Sequence, residues 1–546
     1  MALLEEPKKY WEVRIPNNFK QAKSSPQWEK WHQACLKQLG KIRNKNAYEL
    51  VTPPSDDDVQ ILPGKWVFDL KSDAEGNILE YRARWVVCGN FQEKNTSDRY
   101  APVASDASVK IFLAKVARKD MELRQIDIVS AYLNAALQNR KIFMRQPTGY
   151  EEGNKGDAWL LLQALYGLRE SACLWYKTFD KKLRECGFVP LLEDPCVYLR
   201  EKDGSMLILH VDDCLIAATS NDIIEKIVEL LHASFGVKDL GEPRRFLGCN
   251  LHRNREKKTI TMSQIPYVTE TLTKSAMQLC RGNTVPLHPG WKAEKTDPEV
   301  ADENRTDDFI TITGSCNWLA TRTRPDIALA TGKLQRQSSA PSDKDLRAAK
   351  GILRFLKSHA AYGIVLNSDP NQDLVLYTDA AHQDNPDGKS TEGHVIMYGG
   401  APIIWHSKKQ TFVSPSSTIA EFCAYDAAIK NAIWIRKLLA AFGLYDPEKP
   451  IPLFTDSNNG RIISGQCRMD KTTQWIENRY FFVRDAYEKE IVHFQHIDGK
   501  ENPADRFTKA LDENNFRLFQ RRIGIRELDM NVVGIEPTGE DRNMGI

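Results

Sequence analysis

Between Met206 and Ala218 the chain reads MLILHVDDCLIAA, two adjacent aspartates enclosed by apolar runs on both sides. A half-exposed strand alternates apolar and polar residues, whereas an uninterrupted apolar run reads as a strand covered on both faces. The aspartates then sit at a turn between two covered strands, without the Gly or Asn that a tight hairpin usually employs. A solvated two-residue turn is the plainer reading of an isolated Asp-Asp pair, and the apolar flanks weaken it. Two carboxylates delivered to the rim of a covered sheet need a counter-charge. A divalent cation supplies one, because it prefers hard oxygen ligands.

Asp127, in RQIDIVSAYLNA, lies in a comparable setting where a strand gives way to a helix. Alone it reads as a helix N-cap. Two strands each delivering Asp at a turn could instead hold two metals roughly 3.5–4 Å apart, the arrangement used for in-line phosphoryl displacement. Tyr132, on the first helical turn that follows, would lie beneath a bound sugar and exclude a 2′-hydroxyl.

A length of 546 residues suggests two to four domains, and 42% hydrophobic with 27% charged residues fits folded globular ones. Seventy-five Lys and Arg against 73 Asp and Glu leave a net charge of +2, which excludes a uniformly cationic coat but not local basic patches. Glu5 and Glu6 interrupt the start, so no signal peptide is read there, and no run approaches the roughly 18 apolar residues of a membrane span. Eleven cysteines without a CxxC pair read as reduced, mostly buried thiols of an intracellular chain.

The first 50 residues form a basic extension in which Trp11, Trp28 and Trp31 are interspersed, with a helix expected over 26–50. WVFDLK and YRARWVVCGNF pair as a hairpin. Helices are expected over Ser108–Lys119, SAYLNAAL, Ser171–Cys186 and Asp222–Phe235, with a strand at ELRQIDI. A polar stretch from His288 to Asp308 marks the main internal boundary, followed by helices over 314–338 and 343–359. A second mixed pattern then runs through LVLYTD, the hairpin HVIMYGGAPIIWHS, a helix near 418–442, IPLFTD, IVHFQHI and a last helix from Pro503. Strands and helices mix without regular βαβ repetition, so an α+β palm-like sheet is expected for the first part.

The order QIDIVSAYLN, LLQALYGLRESACLWY, ILHVDDCLIAA and DLGEPRRFLGCNL resembles the copia-type LTR-retrotransposon reverse transcriptases. GKWVFDLKSDAEGNILEYRARWVVCGNFQ resembles that family's fingers hairpin, and NWLATRTRPDIALATGKLQ with AAKGILRFLKS its segment linking polymerase to RNase H. The resemblance implies an α+β right-hand polymerase of fingers, palm and thumb over 51–290. A linking region over 291–370, an RNase H-like α/β domain over 371–515 and a tail over 516–546 follow. It makes Asp127, Asp212 and Asp213 the polymerase carboxylates and Tyr132 the gate that selects deoxyribonucleotides. Lys71 and Arg84 become the fingers residues that grip the triphosphate, Gly167 with Tyr166 beside it the approach to the nucleotide, and Phe246, Leu247 and Gly248 the primer grip. Two departures stand out. His210 replaces the more usual Tyr, and RESA (169–172) replaces Lys-Gln-Ala-Pro.

In the C-terminal part, Asp379 closes LVLYTD, Glu421 lies early in the long helix, Asp456 closes IPLFTD and Asp505 opens the last helix. Singly each has a structural reading: Thr418 to Glu421 fits a capping box, and Asp505 an acid favoured at a helix N-terminus. Together they follow the RNase H order, which implies four carboxylates holding two Mg²⁺. Ala381 and His382 stand where the family usually has Asp and Trp, and His496 remains outside the expected set.

The expectation is therefore an RNA-directed DNA polymerase with RNase H activity, using two Mg²⁺ per active site, with Mn²⁺ able to substitute. Its expected partners are an RNA template, a DNA or RNA primer, RNA–DNA hybrid and dNTPs, without membrane. A homodimer or association with other retrotransposon proteins would complete the assembly, in cytoplasmic virus-like particles or the nucleus. The rival is a decayed or co-opted element product that binds nucleic acid without catalysis.

Overall fold

The computed structural model describes residues 9, 12–54, 59–72, 77–93, 99–137, 141–294, 302–457 and 477–529. Trp11, much of the loop at 55–60, the centre of the turn at 72–77, residues 295–301 of the polar stretch and the tail from 530 lie outside them. The chain divides into two compact units, Met1–Ala104 with Glu122–Glu242, and Ser105–Met121 with Pro243–Ile546.

The first unit is built on a six-stranded antiparallel sheet. Its order is Val237–Gly241, Glu122–Ile128, Asp213–Ala218, Ser205–His210, Val197–Arg200 and Val189–Pro190. Met206, Leu207, Ile208 and the whole run Cys214 to Ala218 are fully buried, which is why both strands read as continuous apolar runs. Helix Asn221–Phe235 packs on this sheet. Trp175 and Phe179 of helix Ser171–Glu185 meet Phe235 with ring centroids 5.3 and 5.6 Å apart.

The basic extension is part of this unit. Helix Trp28–Asn44 buries Trp31 against Phe68 and Tyr81, at centroid distances of 5.4 and 4.6 Å, on the hairpin Gly64–Ser72/Ile78–Val87. It ends earlier than expected. Asn46 adopts φ 47°, a left-handed stop, and Tyr48–Val51 forms a strand paired with Ala158–Leu161, where Tyr48 stacks on Trp159 at 3.9 Å. SAYLNAAL is likewise shorter than expected, a single 3₁₀ turn over Ala131–Asn134 entered through Ser130 at φ 54°.

In the second unit, one five-stranded sheet runs Ala401–Lys409, Thr391–Tyr398, Val375–Ala381, Ile451–Thr455, Val492–His496. The first three strands pair antiparallel and the remaining pairings are parallel, with helix Ser417–Ala441 packed on the sheet. A further five-stranded sheet begins with Arg245–Phe246 and Cys249–Asn254. Its first turn carries Leu247 at φ 48° and Gly248 at φ 78°, the positive pair a two-residue hairpin turn requires.

Between these sheets in sequence, the helical segment expected from Gly314 starts at Glu303, where Asp302 caps it by accepting from Arg305 N at 2.7 Å. It breaks before Pro325 and resumes as Ala328–Gln335. Asp343–Ser358 opens with a capping box between Ser342 and Asp345. The last helix expected from Pro503 is a 3₁₀ turn, Pro503–Phe507, followed by helix Glu513–Arg522.

Helix Asp106–Lys119 belongs with this second unit, although its sequence neighbours belong to the first. Lys110 is 1% exposed, pairs with Asp106 at 2.6 Å and lies 4.0 Å over the Trp405 ring, so its charge is buried only with partners on both sides.

Trp31 anchors the N-terminal helix, so Trp31→Ala is expected to lower stability by about 3–5 kcal/mol in urea unfolding. Leu36→Ala, at an exposed position of the same helix, should change it by less than about 0.5 kcal/mol.

Candidate functional site

Strand register brings the first carboxylates together. Asp213 is directly opposite Asp127, Lys238 is opposite Asp127 on its other side, and His210 is opposite Asp213. Cross-strand partners project to one face, so these four residues form a row across the sheet. Asp212 occupies the turn, and its carbonyl accepts from Ile128 N at 2.9 Å.

The turn itself is strained. Val211 holds φ 60°, an outlier for a β-branched side chain. The Trp175 indole N–H donates to its carbonyl at 2.6 Å. On the other strand, the Asn134 amide donates to the carbonyls of Val129, Ser130 and Ala131, each at 3.3 Å, and so holds the turn after Asp127.

A cavity of about 560 Å³ opens over this row. Asp127, Asp212, Asp213, Lys71, Arg84 and Tyr166, all expected site residues, line it. Burial and Asp212 raise the Asp127 pKa. Burial, Asp212 and Asp127 raise Asp213 to about 6. Tyr132 meets Tyr166 edge-on at 4.7 Å, and Arg84 lies 5.7 Å from the Tyr166 ring. Burial, followed by the Asp212 charge, raises both phenols, Tyr166 to about 12.

Gly167, at φ 95°, approaches protein backbone. A Cβ there would stand 2.0 Å from the Val87 carbonyl oxygen, while Val87 N donates to Tyr166 O at 2.8 Å. The departures at 169–172 reinforce this junction. Arg169 donates to Gly89 O at 2.7 Å, Gln92 donates to Glu170 at 2.8 Å and Ser171 to Leu165 O at 2.6 Å. Phe246 is 2% exposed, and a Cβ on Gly248 would stand 3.0 Å from the Trp318 ring, both within the second unit.

Sequence reasoning missed Lys37, Lys41 and Lys238 as lining residues of the cavity. A lysine spacing of four in the N-terminal helix was the available signal for the first two. Lys238 had none, because strand register alone sets it beside Asp127.

The second group lies within the mixed sheet. Tyr377 is registered with Phe454 on the parallel neighbour, so Asp379 and Asp456, two residues on, stand side by side. Asp379 lies inside its strand, which continues to Ala381, while Asp456 follows its strand directly. Glu421 comes from the helix, but not through the expected capping box. Ser416 is the N-cap, accepting from Ile419 N at 3.3 Å, and Glu421 Oε1 instead accepts from Ala380 N at 3.3 Å. Oxygens of Asp379, Glu421 and Asp456 lie within 4.8 Å of one another.

Asp505 joins this group through Lys509, whose ammonium is 2.5 Å from Asp505 and 3.5 Å from Asp379. Thr508 donates to Asp379. Burial, then Asp379 and Asp456, push Glu421 well up; burial and Asp379 raise Asp505 to about 6. Glu421 Oε2 is buried and has no hydrogen-bond partner among the described residues. Buried carboxylates this close, with one oxygen unpartnered and a lysine drawn among them, fit a cation site with hard oxygen ligands. His496 contributes a favourable charge interaction at Asp456. His382, where the resemblance expects Trp, bonds to Ser414 O at 2.9 Å and ties the strand end to the loop before the helix.

Residues 45–289 match the family model described as "Reverse transcriptase (RNA-dependent DNA polymerase)". The chain is 31% identical over 524 residues to the retrovirus-related Pol polyprotein from transposon TNT 1-94 of Nicotiana tabacum. That alignment covers 94% of the chain and 39% of the polyprotein, so the chain spans about two fifths of that relative's length. A putative transposon Ty5-1 protein of Saccharomyces cerevisiae is 31% identical over 305 residues, covering 54% of the chain and 97% of that protein. Among solved structures, a foamy viral protease–reverse transcriptase in complex with double-stranded DNA shares the fold at TM-score 0.50 and 14% identity, over 85% of this chain and 69% of that one. With one group of carboxylates carried on a palm-type antiparallel sheet and a second on a mixed sheet, the chain belongs to the copia-type reverse transcriptase family.

Proposed function

We propose that the chain copies RNA into DNA at the first site and cuts the RNA strand of RNA–DNA hybrids at the second. One observation carries this reading: the register that sets Asp127 against Asp213, with Asp212 at the adjoining turn, in a cavity also lined by cations. Asp127, Asp212 and Asp213 would hold divalent ions there, Mg²⁺ with Mn²⁺ as substitute, and Asp379, Glu421, Asp456 and Asp505 would do so at the second site. Bound ions supply charge neutralisation and lower the pKa of a hydroxyl or water.

The chain's own residues supply alignment. Arg84, with a planar fork of donors, and Lys71 hold the triphosphate of the incoming dNTP. The Tyr132–Tyr166 pair forms an aromatic wall against which deoxyribose fits and a 2′-hydroxyl does not. Trp175 fixes the strained turn, so the carboxylates need not reorganise as charge develops. At the second site, Thr508 and Lys509 position Asp379 and Asp505, and the hybrid is read through its A-form shape and 2′-hydroxyls. Phe246, Leu247 and Gly248 would steady the primer. Fingers, palm and thumb would occupy 51–290, the linking region 291–370 and the RNase H 371–515, working in cytoplasmic virus-like particles.

On poly(rA)/oligo(dT) with Mg²⁺, the protein is expected to extend the primer, and Asp212→Asn to slow extension by at least roughly 10²-fold. Absence of metal-dependent extension by folded wild-type protein would favour the non-catalytic rival. Asp379→Asn should abolish hybrid cleavage while leaving extension within about twofold, because its carboxylate belongs to a separate cluster. Joint loss of both activities in a folded variant would contradict two independent sites.

The raised carboxyls also give a pH signature. Asp213 and Asp505 titrate near about 6 in the fold, against about 3.9 unfolded. Their contribution to stability is full below about pH 4 and lost as pH rises through about 6. In EDTA, Tm should therefore carry a falling component from pH 4 to 7. Mg²⁺ should raise Tm more above pH 6 than near pH 4.5, where Asp213 and Asp505 are protonated. A Mg²⁺ effect equal at both pH values would contradict the assignment.

A further inference from the structure

Lys37 and Lys41 stand four residues apart on one face at the C-terminal half of helix Trp28–Asn44, and Lys45, four residues further on, is its C-cap. The two outer lysines are bound within the protein. Lys37 pairs with Glu80 of the hairpin strand. Lys45 donates to Asn134 Oδ1 at 2.6 Å and to Phe235 O at 3.3 Å, both on elements that flank the palm sheet. These contacts, together with buried Trp31, hold the helix at both ends against the walls of the carboxylate cavity.

Lys41, between them, has no side-chain hydrogen-bond or ion-pair partner among the described residues, and it lines the cavity with Asp127, Asp212 and Asp213. Burial lowers its pKa, and the neighbouring Lys37 and Arg82 lower it further against the pull of Glu80 and Asp127. Six cations line this cavity against four acids, an excess of two. Glu80 already pairs with two of the six, Lys37 and Arg82. A cation without a partner among the described residues, lining the same cavity as a carboxylate cluster, is arranged for an anionic ligand that arrives with the substrate.

We propose that Lys41 is a phosphate-binding residue of the polymerase cavity that contacts the polyphosphate of the incoming nucleotide alongside Lys71 and Arg84. This rests on the polymerase reading of that cavity. The N-terminal helix thereby becomes a third wall of the nucleotide site, with its lysine carried by a helix fixed to both hairpin and palm. A phosphate of the template or primer backbone offers the same chemistry from another source. The nucleotide is favoured because Lys41 shares its cavity with Lys71 and Arg84, whereas a strand-tracking residue would lie along an open groove.

The test is equilibrium binding of Mg²⁺–dTTP to the full chain on a poly(rA) template with a 3′-dideoxy-terminated primer, where no turnover can occur. Lys41→Gln should weaken dTTP binding about 10-fold, and Lys41→Arg should restore it to within about threefold. Primer–template affinity should change less than twofold in both. Gln is a good helix former at this exposed helical position, so the variant retains the fold, checked by its urea midpoint. Unchanged dTTP affinity in Lys41→Gln overturns the proposal, as does no dTTP binding by wild type. Primer–template affinity falling as much as dTTP affinity also overturns it, in favour of a backbone contact. Wild-type protein that binds dTTP but never extends an unblocked primer refutes the polymerase reading alone, and the Lys41 comparison still stands.

Discussion

The pairing of Glu122–Ile128 with Asp213–Ala218 is the interaction on which the first site depends. Successive side chains on a strand point to opposite faces, so a slip of one residue in this pairing would move one aspartate to the other face and separate the two. The same constraint that builds the core therefore holds two negative charges opposite each other. Their mutual repulsion and partial desolvation are offset by Lys238 on the neighbouring strand and by the cations of the surrounding cavity. Val211, held left-handed by the Trp175 indole, is where the cost of turning a covered hairpin without glycine is concentrated.

The second site reaches a like result through different geometry. Parallel neighbours place Asp379 beside Asp456, and a helix that packs on the sheet inserts Glu421 from above. Here the carboxylates lie deeper and a single lysine, Lys509, answers two of them. The first cavity, of about 560 Å³, is lined by six cationic side chains against four acidic ones, a local positive excess in a chain of near-zero net charge. The second group is compact, with Asp379 1% exposed and the oxygens of Asp379, Glu421 and Asp456 within 4.8 Å of one another.

Much of this was legible in the sequence. Apolar flanks mark the Asp212–Asp213 hairpin, and the order of strand, helix and strand acids marks the second group. The signals that failed were local ones. A capping box at Thr418 was a reasonable reading of four residues, yet Ser416 caps the helix and frees Glu421 to face Ala380. The helix expected over 26–50 stops at Asn44, and the left-handed turn at Asn46 leads into the strand Tyr48–Val51. Helix Asp106–Lys119 gave no sign that it packs with the C-terminal sheet, since a buried Lys110 is readable only once Asp106 and Trp405 are seen around it.

The sequence by itself marked which residues are candidates to carry chemistry, because charged groups inside apolar runs are costly and stand out wherever they occur. It determined the order of the elements for the same reason, through the periodicity that burial imposes. Only the tertiary structure decided which charges meet. Lys238 and Asp127 lie 111 positions apart and Lys41 and Asp127 lie 86 apart. Strand register joins the first pair, and the anchoring of Trp31 on the hairpin brings the second pair to one cavity. Coulomb interactions depend on distance in space, and a linear pattern contains that distance only within one strand or one helical turn.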